Sequence, residues 1–278
     1  MPQSRGMALI AVLWLVAAMG LIISGIVRTV RAEAQTVGLQ RQSLVASAKA
    51  DAAILLALQN LHAQQKPLPN TLQTLPVEFE GVIYQVQLVP LNGLIDINKA
   101  PVALLADLYQ YAGGADPQVA QALAAATLAT RQLKNAKTIE QGFDAAADLM
   151  RVPGITYDIY DKVHTLVTAD VKSGSGRVNP LASPPSVLLV LAAGDGARAN
   201  QFLSQRNATP NTVDSTFFKP DSIDMSASNS LKLQVSVTLP DNATLQRAWR
   251  LYWAPDPRSG LPWRVLGVQQ AVLPPSHV

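Results

Sequence analysis

The chain has 278 residues, 49% apolar and 15% charged, with a net charge of +3; that is enough apolar material for one or two packed domains and excludes a disordered polyelectrolyte. Basic and acidic residues cancel along the body, ten against ten over 94–208 and six against five over 209–278, so there is no basic stripe to neutralise phosphates and no nucleic acid is expected as a partner. Cysteine is absent, and His62, His164 and His277 share no ligand-like spacing, which removes disulfides, thiolate metal sites and thiol nucleophiles.

In chain order, the first feature is an uncharged apolar run from Met7 to Val27. As a helix it rises roughly 30 Å, the thickness of a bilayer core. Three readings are open. Ala32-Glu33-Ala34 supplies the small-x-small pattern of a secretory cleavage site, although the run is long for such a signal and Arg28 and Arg31 intervene. A plain membrane anchor is the second reading. The third rests on Ser4-Arg5-Gly6-Met7-Ala8-Leu9-Ile10, a short hydrophilic leader with a basic residue and a glycine directly before the apolar run. A scissile backbone that must enter a protease cleft closely needs such a small residue. Charge does not set the orientation, because Arg5 precedes the span and Arg28 and Arg31 follow it.

No proline occurs between Pro2 and Pro67, and 28–64 is rich in Ala, Leu and Gln, all good helix formers. Val37, Leu44, Ala48 and Leu55 recur at helical spacing and give an apolar stripe. One continuous helix over 7–64 is expected, roughly 85 Å long, with its first half in lipid (7–27) and its second half packed on a globular head.

Val82 to Val89 reads as a half-buried strand. Residues 96–208 are rich in Ala and Leu, in helix-length stretches broken by Gly and Pro. Two segments within this region are alike. Leu94-Ile95-Asp96-Ile97-Asn98-Lys99-Ala100-Pro101 lies over Arg177-Val178-Asn179-Pro180-Leu181-Ala182-Ser183-Pro184, and each Pro opens a Leu-rich helix start, which predicts two related helical units. Val152-Pro153-Gly154-Ile155 has the look of a helix-hairpin-helix turn that binds phosphate, but Thr156, Asp158 and Asp161 follow where glycine and basic residues belong. Asp144 and Asp148 at i, i+4 read as a solvated face, and Ser173-Gly174-Ser175-Gly176 as a linker, since no Lys follows it. No nucleophile–base grouping emerges and an enzyme is not expected. Asp214, Asp221 and Asp224 are loop carboxylates with no EF-hand spacing; calcium is the one cofactor they suggest. Leu231, Leu233, Val235, Val237 and Leu239 then alternate with polar residues, Pro240-Asp241-Asn242 forms a turn, Leu245 to Trp253 returns, and Trp263 to Val268 makes a third strand.

The leader at Gly6–Met7, the proline-free stem and the paired Asn/Pro segments together resemble the type II secretion minor pseudopilin known as general secretion pathway protein K. The resemblance covers nearly the whole chain; Phe143-Asp144 to Leu149, Val152 to Thr156 and Val178-Asn179 with Pro184-Pro185 add to it. It implies an α+β fold, a pilin-like long N-terminal helix plus an antiparallel sheet, interrupted by an all-α insertion of two SAM-like helical modules. The expected boundaries are a leader at 1–6, the helix at 7–64, a head formed by 65–93 and 209–278, and an insertion at 94–208, split into modules at about 94–172 and 177–208. It further implies cleavage after Gly6 by a prepilin peptidase and N-methylation of Met7. Most pseudopilins carry Glu at the fifth mature position, which here is Ala11; the K type lacks that Glu, as suits a filament-tip subunit that caps or initiates assembly. The partners implied are the I, J and H minor pseudopilins, the inner-membrane assembly platform and exported proteins. The location implied is the bacterial inner membrane, crossed once, with the head in the periplasm.

Overall fold

A proline-free stretch of helix formers gives one uninterrupted helix. In the computed structural model, which describes residues 4–65, 67–133, 142–169, 175–208 and 213–274, α1 runs Ser4–Ala63, 60 residues and about 90 Å. It stops where Gln65 turns to φ +50° and Pro67 follows, which cannot continue a helical ladder.

The chain then forms β1 (Gln73–Phe79) and β2 (Val82–Pro90), joined by Glu80 and Gly81 at φ +53° and +74°. Two consecutive positive φ values give the turn whose twist matches a tight hairpin. After a long excursion come β5 (Ser230–Thr238), β6 (Thr244–Tyr252) and β7 (Arg264–Leu273), completing an antiparallel sheet of order β1-β2-β5-β6-β7. The strands expected at 82–89, 231–239 and 245–253 lie at these places, and β7 extends well past Val268. β1 is an addition to them, because Pro76 and Glu78 obscure its alternation; as an edge strand it tolerates the proline.

Leu231, Leu233 and Val235 of β5 and Val86 and Leu88 of β2 are buried with Leu251 and Trp263 against Ala50, Ala53, Ile54, Ala57 and Leu58 of α1. Alanine at three of these five positions lets the helix backbone sit close to the sheet, and each fully buried Leu or Ile contributes about 1.5–3 kcal/mol. The stripe marked out in the sequence is a different one. Val37, Leu44 and Leu55 are exposed at 62%, 70% and 38%; the spacing is helical, but these residues look away from the sheet.

The excursion between β2 and β5 has its own core. It holds β3 (Ile95–Asp96), α2 (Val102–Asp107, prolonged by a π turn Leu108–Ala112), α3 (Pro117–Arg131), a 3₁₀ turn (Ala146–Arg151), α4 (Tyr157–Val163), β4 (Val167–Thr168), α5 (Pro185–Leu191) and α6 (Gly196–Ala208). Leu104, Leu105, Tyr109, Leu149, Val187, Leu188 and Phe202 are among its buried residues, and none of them belongs to the cluster under α1. Two features differ from the sequence reading. A short parallel ladder, β3 with β4, lies among the helices. The helical core also reaches past the expected boundary at 208: Phe218 is buried in it and packs on Phe202, with ring centroids 5.0 Å apart, and Ile223 and Met225 pack against it.

Candidate functional site

The side chains described in the first half of α1 include four large apolar ones turned away from the rest of the protein. Leu13, Trp14, Leu15 and Met19 are 58–74% exposed, which in water would be a large unfavourable surface and in lipid is none. Gly6, Met7 and Ala11 fall in the first turns of this helix; their side chains lie outside the described residues. Gln35–Ala63 is also long and apolar enough to cross a membrane, but a third of its most apolar stretch is buried within the protein, where it lies on the sheet.

The second half of α1 is fixed by a polar joint that has no counterpart in the sequence patterns. Asp51 accepts from Arg247 Nε at 2.7 Å, Arg247 Nη2 at 2.9 Å and Trp249 Nε1 at 2.7 Å. The paired hydrogen bonds raise the Arg247 pKa, since Asp51 favours the charged guanidinium. Lys49, two residues before, pairs with Glu80 of the hairpin turn at 2.8 Å. A carboxylate on a stem helix and an arginine 196 residues later give no local signal.

The two similar segments occupy matching places with one constant offset. Ile95 bridges Val167 in parallel, and Val178 bridges Ile223 in parallel. Asp96 Oδ1 accepts from the Asn98 amide at 2.9 Å, as Asn179 Oδ1 accepts from the Leu181 amide at 3.0 Å, the side-chain turn typical of Asx residues. Pro101 and Pro184 each stand one residue before a helix, α2 and α5. An arginine in the last turn of the next helix, α3 or α6, closes each unit. Arg131 Nη1 donates to the carbonyls of Ile97 (3.4 Å) and Ala100 (2.9 Å), and Arg206 Nη1 to those of Pro180 (3.0 Å) and Ser183 (2.6 Å). Burial lowers the Arg206 pKa; the carbonyls offset part of the lost hydration. The sequence hides these arginines because the first helices of the two units differ in length, Val102 to Ala112 with its π turn against Pro185–Leu191, so no fixed spacing links them to the repeat.

The remaining candidates have structural partners. Asp148 Oδ2 accepts from the amides of Asp144 and Ala145 and so caps the 3₁₀ turn. Asp214 accepts from Thr216, and Asp224 from Ser226 and Ser175; these bonds hold both carboxyl pKa values down. Asp221 lies in the short 3₁₀ turn Pro220–Ser222. Among the described residues, no three His, Asp or Glu side chains gather where a metal ion could be held. His277 and the Ser173-Gly174 half of the linker lie outside the described residues. The hairpin at Val152–Ile155 leads into α4, whose Thr156 cap accepts from Ile159 and whose Lys162 pairs with Asp158 at 2.8 Å. Lys162 is therefore engaged within its own helix rather than turned to a phosphate.

A long N-terminal helix whose second half is laid on an antiparallel sheet defines a pilin-like fold, here with a helical insertion between adjacent strands. No family model and no curated protein matches the sequence. Among solved structures, the fold matches the GspK chain of the crystal structure of the GspK-GspI-GspJ complex from the enterotoxigenic Escherichia coli type 2 secretion system, with a TM-score of 0.54 and 17% identity. The match covers 86% of this chain and 99% of that one, so the insertion and the sheet are shared together.

Proposed function

We propose that this chain is a minor pseudopilin of the K type, an assembly subunit of a type II secretion apparatus and not an enzyme. The observation that carries the reading is α1, with Leu13, Trp14, Leu15 and Met19 uncovered in its first half and its second half anchored on the sheet, within a fold whose match to the GspK chain covers 86% of this chain and 99% of that one. In this reading α1 crosses the inner membrane once with its N-terminus cytoplasmic, and a prepilin peptidase cuts after Gly6 and Met7 is methylated. The stem then leaves the bilayer beside the stems of the I, J and H minor pseudopilins, on the assembly platform. The head sits at the filament tip, where it caps or starts assembly and meets exported proteins; Ala11 agrees with a tip position. Calcium in the loops around Asp214, Asp221 and Asp224 would brace the insertion, and it has no support from their present partners.

Co-expression with a prepilin peptidase tests the reading. The mature chain is expected to begin at Met7, six residues shorter, and Gly6→Val to block the cut while leaving insertion intact. A mature start at Gln35 would establish a secretory signal instead, and an uncut chain a membrane-anchored scaffold that never enters a filament.

A further inference from the structure

The ladder between β2 and β5 is short. It runs from Gln87 opposite Gln234 to Pro90 opposite Leu231, although β2 begins at Val82 and β5 continues to Thr238. Towards the Glu80-Gly81 turn the two strands therefore part: Val82 to Val86 pair with β1 alone, and Val235 to Thr238 with β6 alone. Each strand has there a second edge, inside the sheet, with no strand partner among the described residues. Backbone N–H and C=O groups on such an edge are a template for another strand. A cavity of about 980 Å³ opens at the gap. Residues of both sheet faces line it: Tyr84 and Val237, which pack on the α1 side, and Gln85, Gln234 and Ser236, which alternate with that set and look the other way. A hollow in one face of an intact sheet would not show both. The stem helix closes one side with Val45 and Ala46, and Gly38 leaves a notch there, since an added Cβ would meet nothing within 4 Å. Arg41 and Lys49 are the charged residues of the lining. Lys49 is taken by Glu80, whereas Arg41 has no ion pair among the described residues.

We propose that this gap takes an extended segment of a partner protein, which lies between β2 and β5 as an added strand with an acidic residue beside Arg41. The open edges offer it about 15 Å of strand, at roughly 3.4 Å per residue. The main chain of the segment supplies the hydrogen bonds that the two edges lack, the mode of recognition known as strand addition. Its side chains divide by the same alternation. One set meets Val45, Ala46 and Val237 and is apolar; the other meets Gln85, Gln234 and Ser236 and is polar. A carboxylate where the segment passes Arg41 completes the match, through a charge-assisted hydrogen bond.

The probe is a synthetic peptide of three valine–threonine repeats between two glutamates, followed by fluorescence anisotropy as the full-length chain in detergent micelles is added, with empty micelles as control. Saturable binding is expected, together with slower amide exchange at Val82 to Val86 and Val235 to Thr238. Methylating alternate amide nitrogens of the peptide removes ladder donors and should weaken it about tenfold or more. Lysine in place of both glutamates should weaken it about threefold or more. Gly38→Trp is expected to abolish binding by filling the notch without lowering the melting temperature, because tryptophan is a better helix former than glycine. The proposal is overturned if the peptide binds no better than to empty micelles, if the methylated or the lysine peptide binds as well as the parent peptide, or if Gly38→Trp binds it as before. The peptide results require no variant to fold and no cleaved leader, so they are decided separately from the K-type reading.

Discussion

Asp51 accepts two hydrogen bonds from Arg247 and one from Trp249, so its replacement by alanine leaves the half-buried guanidinium with Gln270 as its remaining side-chain partner and the indole N–H without its carboxylate. Asp51→Ala is expected to cost about 1–3 kcal/mol, read as a lower melting temperature of the full chain; Asp51→Asn should recover part of it. An unchanged melt would mean that the apolar face of α1 alone secures the stem. Tyr109 offers a test by pH. Its phenol is buried in the helical core and held at about 12 against an ordinary 10.0, chiefly by burial, with its hydrogen bond to Thr127 opposing. A raised pKa in the native state means that the folded chain keeps this proton longer than the unfolded chain. The stability it contributes is therefore whole below pH 10 and is lost as pH climbs towards 12. Tyr109→Phe should melt slightly lower at neutral pH, by about 1 kcal/mol for the lost hydrogen bond, yet show a shallower decline on the alkaline side. Parallel alkaline limbs for the two proteins would refute this account.

Elements with strong local patterns are legible in the sequence. Strict alternation from Leu231 to Leu239 announces β5, and the absence of proline announces α1. β1 is hidden by its edge position, where one buried side chain, Val77, is enough; the Glu80-Gly81 turn is its clearest sequence signal. The face that α1 buries is hard to read because large residues draw the eye elsewhere. Beside Ile54 and Leu58 the contact uses Ala50, Ala53 and Ala57, small enough for close approach and inconspicuous in an alanine-rich helix. The repeated Asx–Pro segments are legible because a turn's chemistry is written in consecutive residues; their arginine clamps and the Asp51 joint are not, because long-range pairs leave no period. Ala11 belongs to this scale as well. In a tip subunit no amine stands above to be paired, so Ala11→Glu should bring no gain in incorporation, and the buried carboxylate should weaken insertion by less than the roughly 2.5–3.5 kcal/mol charged at a span's centre. A rise in incorporation along the shaft, measured by quantitative blotting of sheared filaments, would remove the tip assignment and leave the fold untouched.

For the whole molecule, the two buried clusters share no residue, and Pro90 lies opposite Leu231 where the excursion leaves and returns. Replacing 92–228 with a short Gly/Ser linker is therefore expected to leave α1 and the five strands folded, with a cooperative melt and retained β-sheet circular dichroism. Loss of the fold in that shortened chain would show that the helices belong to the main core. A cut at 208 should be worse tolerated, because Phe218 would be stranded without Phe202.

The pairing of Pro90 with Leu231 also bears on the order in which the chain folds. Drawing two strands together across about 140 disordered residues carries a closure entropy that grows as the logarithm of loop length, roughly 3 kcal/mol beyond that of a tight hairpin. The cost falls away once the intervening helices have collapsed and brought their own ends side by side. Segments 95–225 thus become the slow gate for the sheet: β2 waits for β5 until they are built. The same β2–β5 pairing should form faster in the shortened chain, where the strands are near neighbours from the start, and the full chain's sheet should lag behind its helices in refolding.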